Sequence, residues 1–339
     1  MKNIGFHEEH FQNIQALRGI AALFIVLEHV RFLNCGAFAV DIFFCISGFM
    51  IMFSTHKGTK HFFAKRLIRI LPLYYLITLF TYLILLLFPD MFAVTSPNIA
   101  FLIKSLLFIP FDIGGGAIQP LVRIGWTVNC EIFFYLLFRI AMRISHRFRG
   151  LICSILLAGV VLAAQLLPDY SVVLSFYGNP VMLEFILGIL CYYAAMGLYR
   201  LRQTGKLPGG CLLLSFSAAA GIFLGFLVTK PFANTLGFRR PLIWGIPAAI
   251  LVLAFFISEF YMTFPAALVK LGDISFSLYL LHYYPVTLLD RKFFDFSVCS
   301  PKAMLGVAIA LAVSVTLGLI CHELIEKRLS AWLRQKLLS

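Results

Sequence analysis

Two residues able to do proton and anion chemistry, Arg18 and His29, stand inside the first long apolar run of this chain, residues 14–52 (IQALRGIAALFIVLEHVRFLNCGAFAVDIFFCISGFMIM). A neutral imidazole takes a proton from a hydroxyl and returns it. A guanidinium stabilises negative charge where charge develops. Both groups are costly in lipid, so a lipid-facing helix would not keep them. They are 11 residues apart, which is three helical turns plus roughly 20° at about 100° per residue. Both therefore point to one side of a single helix, roughly 16 Å apart along its axis. The spacing predicts a buried polar cavity running lengthwise through a membrane. Glu28 faces about 100° away from His29 and is expected to pair with another helix or to reach the outer interface.

Three further segments carry chemistry. In FFAKRLIRILP, Lys65, Arg66 and Arg69 crowd the start of an apolar run, with Arg66 and Arg69 sharing a helix face. They read either as an inner-leaflet anchor or as a phosphate clamp, since paired guanidinium forks suit phosphate oxygens. In GWTVNCEIFFY, Trp126 fits an interfacial anchor. Glu131 lies about a turn and a half further in and needs a partner or a proton. It serves an imidazolium, an acceptor hydroxyl, or an ion pair with Arg123 or Arg139. In GDISFSLYLLH, Asp273 and Ser275 are placed to cap a helix, while Ser275, Tyr279 and His282 line one face as a polar stripe. Glu323 and Glu326 beside Lys327 and Arg328 read as an inner-surface salt-bridge cluster.

The elements that hold these residues must be membrane helices. Hydrophobic residues make up 61% of the chain and charged residues 13%, with mean hydropathy +0.94, far from a soluble composition. The net charge of +13 would suggest nucleic acid in a soluble chain. Here Lys and Arg mark cytoplasmic loops and anionic headgroups, and nucleic-acid binding is not expected. The eight cysteines show no metal-ligand spacing, and no metal is expected. Cys35 and Cys299 are the pair an outer-face disulfide would use, though spacing alone does not favour one. Glu8 and Glu9 stand where a cleavable signal would be basic, so none is expected.

Runs long enough to cross the bilayer fall at 13–33, 37–54, 67–88, 126–142, 151–167, 181–198, 211–228, 242–258, 274–289 and 303–322. Residues 100–111 are apolar but too short to span. The expectation is an all-α integral membrane bundle of about ten transmembrane helices, one domain over 1–339, with no soluble extracytoplasmic domain. Placing both termini in the cytoplasm puts most Lys and Arg inside, including Lys2, Lys57, Lys60, Lys65, Arg66 and Arg69. Lys230, Arg239 and Arg240 run against that bias. The longest loop, 89–125, contains Gly114, Gly115 and Gly116 and reads as a lid or a plain connector.

Five segments together resemble the acyltransferase-3 family of membrane-bound acyltransferases. They are Arg18 and His29 with ten residues between them, VDIFFCISGF at 40–49, KRLIRILP, GWTVNCEIFFY, and GDISFSLYLLH with the closing Glu-Lys at Glu326. The GWTVNCEIFFYLLF stretch looks closest to the branch that acetylates exopolysaccharides. Lys65, Cys45 and Cys130 depart from the more usual residues. The resemblance implies an enzyme of the cell inner membrane that moves an acetyl or other short acyl group from acetyl-CoA onto a glycan or lipid-linked saccharide hydroxyl. It implies His29, Glu131 and Arg18 as catalytic residues. It implies Lys65, Arg66, Arg69 and Arg18 on the acyl-CoA donor. Asp41, Ser47, Trp126, Tyr279 and His282 are expected on the acceptor. A proton-coupled transporter and a non-catalytic polysaccharide-assembly component are the rival classes. The acceptor sugar, the acyl-histidine or direct route, and a homo-oligomeric state stay open.

Overall fold

The computed structural model describes residues 11–56, 58, 61–88, 98–114, 116–168, 170–208, 210–229 and 236–338. Lys2, Lys57, Lys60, Lys230, Gly115 and residues 89–97 of the long loop lie outside the described residues. The architecture is all-helical. Among the described residues the only extended pairing is an isolated bridge between Asp112 and Ile118.

The helices are α1 (Gln12–Glu28), α2 (Ala39–Ser54), α3 (Phe62–Leu87), α4 (Ile99–Leu106), α5 (Trp126–Ile144), α6 (Arg149–Leu166), α7 (Val172–Tyr177), α8 (Leu183–Gln203), α9 (Cys211–Thr229), α10 (Ile246–Ser258), α11 (Ala266–Asp273), α12 (Ser275–Leu281), α13 (Tyr283–Lys292), α14 (Pro301–Cys321) and α15 (Lys327–Leu338). Seven helical segments among the described residues are long and apolar enough to cross a membrane. Three expected spans look different. Residues 13–33 shorten to α1, which stops at Glu28. Residues 37–54 form a 16-residue helix. Residues 274–289 break at His282 into α12 and α13. Residues 100–111 fold as the short α4, whose first turn is capped by the Asn98 side chain on the Ala100 N–H at 2.8 Å.

The chain divides into two compact units. The first comprises Met1–Thr59 and Leu183–Thr316. Here α2 packs on α8 and α1 on α11, and glycine permits both approaches. A Cβ on Gly48 would enter the Phe185 carbonyl, and one on Gly188 would enter the Cys45 carbonyl. A Cβ on Gly19 would sit 2.7 Å from the Leu268 carbonyl oxygen. Backbones this close are how membrane helices gain packing where lipid offers no hydrophobic drive. Gly188→Val is accordingly expected to destabilise the chain by about 1–3 kcal/mol or more, because backbone must move to admit it. Gly197→Ala on the same helix meets open space and serves as the control. Thermal unfolding in detergent reads both; equal effects would refute the packing argument.

The second unit comprises Lys60–Met182 and Leu317–Ser339. In it α3 packs on α4, α5 and α15, and α5 on α6. Leu76, Leu79, Phe80, Leu83, Leu86 and Leu87 are exposed along one side of α3. Their three-and-four spacing makes a continuous apolar stripe, the surface a lipid-facing helix presents.

Candidate active site

His29 follows the last residue of α1 as its C-cap, with φ −87° and ψ 2°. Its N–H reaches back three residues to the Val26 carbonyl at 3.2 Å, tightening the final turn. Its ring meets a second imidazole. His29 Nδ1 lies 2.9 Å from the Ile25 carbonyl oxygen and 3.2 Å from His282 Nε2. His282 Nδ1 lies 2.6 Å from the Tyr279 carbonyl oxygen. These contacts set the tautomers. A carbonyl only accepts, so His282 Nδ1 carries the hydrogen and its Nε2 carries the lone pair. His29 Nδ1 then faces two acceptors and carries a hydrogen itself. The lone pair of His29 is on Nε2.

The break between α12 and α13 makes this pair, because His282 sits at the junction, fully buried. Tyr283, next in the chain, turns its ring edge-on to His29 with centroids 5.5 Å apart. Val26, Val30, Leu278, Val286 and Phe296, from the segments that carry the two rings and the loop after α13, belong to one buried apolar cluster. Arg31 ties the turn after His29 to α13 through Asp290 at 2.9 Å and to Asp295 at 3.3 Å. The Phe32 N–H donates to the Phe296 carbonyl at 2.8 Å. In the loop after α13, the Ser297 hydroxyl holds the exposed Asp295 carboxyl below its ordinary range.

The other residues singled out by their spacing fall into place as follows. Arg18 is half-buried on α1 and donates to Gln15 Oε1 at 3.1 Å, and Gln15 donates to Asp273 Oδ1 at 3.2 Å. Asp273 and Ser275 cap no helix; α12 starts after Ile274 without a side-chain cap. Glu28 Oε2 accepts from the Gly36 and Ala37 N–H groups at 2.7 and 2.8 Å, closing the turn into α2. Asp41 is fully buried and gives both carboxylate oxygens to Arg240, at 3.1 Å from Nε and 2.7 Å from Nη2. Arg240 also donates to the Ala37 carbonyl at 3.2 Å, stacks 5.0 Å from the Trp244 ring and lies 3.9 Å from Glu184 Oε1. Neither carboxylate oxygen of Glu184 has a hydrogen-bond partner among the described residues. Ser47 is half-buried on α2.

In the second unit, α3 opens with Lys65 exposed and Arg66 and Arg69 half-buried. The Arg66 guanidinium lies over the Phe62 ring at 5.8 Å and the Tyr135 ring at 5.6 Å. The Tyr135 hydroxyl donates to Glu131 one turn earlier on α5. Arg139 stacks on Phe63 at 5.0 Å. Glu131, Tyr135 and Arg66 thus form one connected array. Trp126 is the first residue of α5, half-buried. Asn129 is buried with no side-chain hydrogen bond among the described residues. None of the eight cysteines forms a disulfide; Cys35 is buried and Cys299 exposed.

Arg240, Glu184, Tyr135 and Asn129 escaped the sequence reading. Tyr135 alone had a signal, since it follows Glu131 by one helical turn. Arg240 is 199 residues from Asp41, and no spacing rule joins them.

A chain of long apolar helices with arginines and a histidine pair built into it has the make-up of a multi-pass membrane protein with buried polar sites. The family model described as an acyltransferase domain, of the acyltransferase-3 family, matches residues 11–323, and the chain belongs to that family. A curated relative is the exopolysaccharide production protein ExoZ of Rhizobium meliloti (strain 1021), 27% identical over 305 residues that cover 87% of this chain and 89% of the relative. No solved structure matches.

Proposed function

We propose that the chain is a multi-pass O-acyltransferase of the cell inner membrane, with both termini in the cytoplasm. It moves an acetyl or other short acyl group from cytoplasmic acyl-CoA to a hydroxyl of an exopolysaccharide or another cell-surface glycan. The family supports acyl transfer, and the likeness to an exopolysaccharide production protein supports the acceptor class. The observation that carries the chemistry is the hydrogen-bonded His282–His29 pair, which puts the lone pair of a half-buried imidazole on Nε2.

In this reading His29 Nε2 takes the proton of the acceptor hydroxyl. The oxygen attacks the thioester carbonyl, a new ester bond forms as the carbon–sulfur bond breaks, and the thiolate leaves with the proton held by His29. Arg18 stabilises the oxyanion. Lys65, Arg66 and Arg69 hold the donor phosphates, as guanidinium forks do. Glu131 acts through Tyr135, whose ring carries Arg66. His282 positions His29 rather than touching the acceptor. Ser47 and Trp126 remain on the acceptor side, while Asp41 serves the Arg240 pair.

Arg66→Ala and Arg69→Ala are each expected to raise the KM for acetyl-CoA about tenfold, the loss of one charge-assisted contact, with kcat nearly held. Label from acetyl-CoA entering polysaccharide in isolated membranes measures both. Wild-type membranes that add no donor-dependent label to any glycan would end the proposal.

A further inference from the structure

Pro72 lies inside α3, four residues after Ile68. A proline in a helix has no N–H to offer, so the carbonyl four residues earlier loses its donor and is pushed aside by the ring. In α3 that carbonyl belongs to Ile68, a buried residue. A hydroxyl from the other end of the chain replaces the missing donor: Ser330 Oγ on α15 donates to Ile68 O at 3.2 Å. Both α15 and the wide turn His322–Glu326 before it pack on α3. That turn is itself tied, by His322 Nδ1 to Glu326 Oε2 at 3.0 Å and by Lys327 Nζ to Glu323 Oε2 at 3.2 Å. Ile68 sits between Arg66 and Arg69, one turn after Lys65. The hydroxyl is therefore anchored in the turn that carries all three cations.

We propose that Ser330 is a positioning residue for the donor site, holding the cation-bearing start of α3 at one angle by satisfying the carbonyl that Pro72 orphans. This rests on reading Lys65, Arg66 and Arg69 as the donor site. A proline break is a hinge unless the freed carbonyl is occupied. An occupied carbonyl sets one hinge angle, and one angle lets a rigid guanidinium fork meet phosphate oxygens with both arms. Without the hydroxyl the break relaxes, the cations lose their common aim, and donor affinity falls while the imidazole chemistry is untouched.

The test uses the full chain in lipid nanodiscs with acetyl-CoA as donor. KM, kcat and Tm are measured for Ser330→Ala, Ser330→Thr, Pro72→Ala and the Pro72→Ala/Ser330→Ala double variant. Ser330→Ala is expected to raise KM roughly three- to tenfold with kcat within about twofold, the scale of one hydrogen bond. Ser330→Thr, which keeps the hydroxyl, stays near wild type. Pro72→Ala returns an N–H to the Ile68 carbonyl, so removing the Ser330 hydroxyl in that background changes KM little. An unchanged KM in Ser330→Ala, or an equal rise in both backgrounds, overturns the inference. Coupling of Ser330 and Pro72 in Tm without any KM effect does the same and leaves the acyl transfer standing. No turnover with any acyl-CoA overturns both readings, and the Tm coupling separates that failure from loss of the contact.

Discussion

His29→Ala is expected to lower acyl transfer about 10²- to 10⁴-fold, the range for removing a general base, while acetyl-CoA still binds. The expectation follows from geometry. His29 Nδ1 carries its hydrogen toward the Ile25 carbonyl and His282 Nε2, so the basic lone pair is on Nε2. The same geometry grades a second variant. His282→Ala removes the partner that fixes the His29 tautomer but leaves the base, and the misorientation is expected to cost about 10- to 100-fold. Labelled acetyl-CoA supplied to membranes separates the two. Undiminished label with His29→Ala would remove the base from the mechanism. His282→Ala as damaging as His29→Ala would move the chemistry onto both rings.

Arg240→Ala is the other large effect. Asp41 is wholly buried, with both oxygens on this one guanidinium, and the Glu184 carboxylate is buried beside it. Removing the cation strands the Asp41 carboxylate in an apolar helix bundle, which costs about 3–5 kcal/mol for a buried pair broken from one side. Arg240→Lys restores little, because an ammonium cannot span both carboxylate oxygens. The double variant Arg240→Met/Asp41→Leu is expected to recover much of the loss, since a buried pair replaced by apolar groups is often near neutral. Thermal unfolding of the detergent-solubilised chain measures all three. A double variant as unstable as Arg240→Ala would show that the cost lies in something other than the stranded carboxylate.

Much of this protein was legible from residue types alone. The apolar runs announced an all-helical membrane chain, because about 20 apolar residues admit little else. The cations of α3 announced an anion site or an anchor, since neither sits in lipid without cause. Helical spacing was a weaker guide. Arg18 and His29 were read as one stripe on one helix, but α1 ends at Glu28 and its last turn tightens. The ring of His29 is set by its neighbours rather than by the helical period. The run at 274–289 read as one span with a polar stripe, and the structure breaks it at His282. Arg240 was counted among loop cations against the inside bias, and the fold withdraws it into an ion pair with Asp41.

Composition and local period thus determined the class of chain, the helices that could form and the residues worth suspecting, because hydration and backbone hydrogen bonding act within a few residues of one another. Which imidazole meets His29, which guanidinium neutralises Asp41 and which hydroxyl reaches Ile68 were decided by tertiary structure. Those partners are 253, 199 and 262 residues apart. Contacts of that range exist only after helices pack, and packing depends on shape summed over whole faces, which no short window of residues contains.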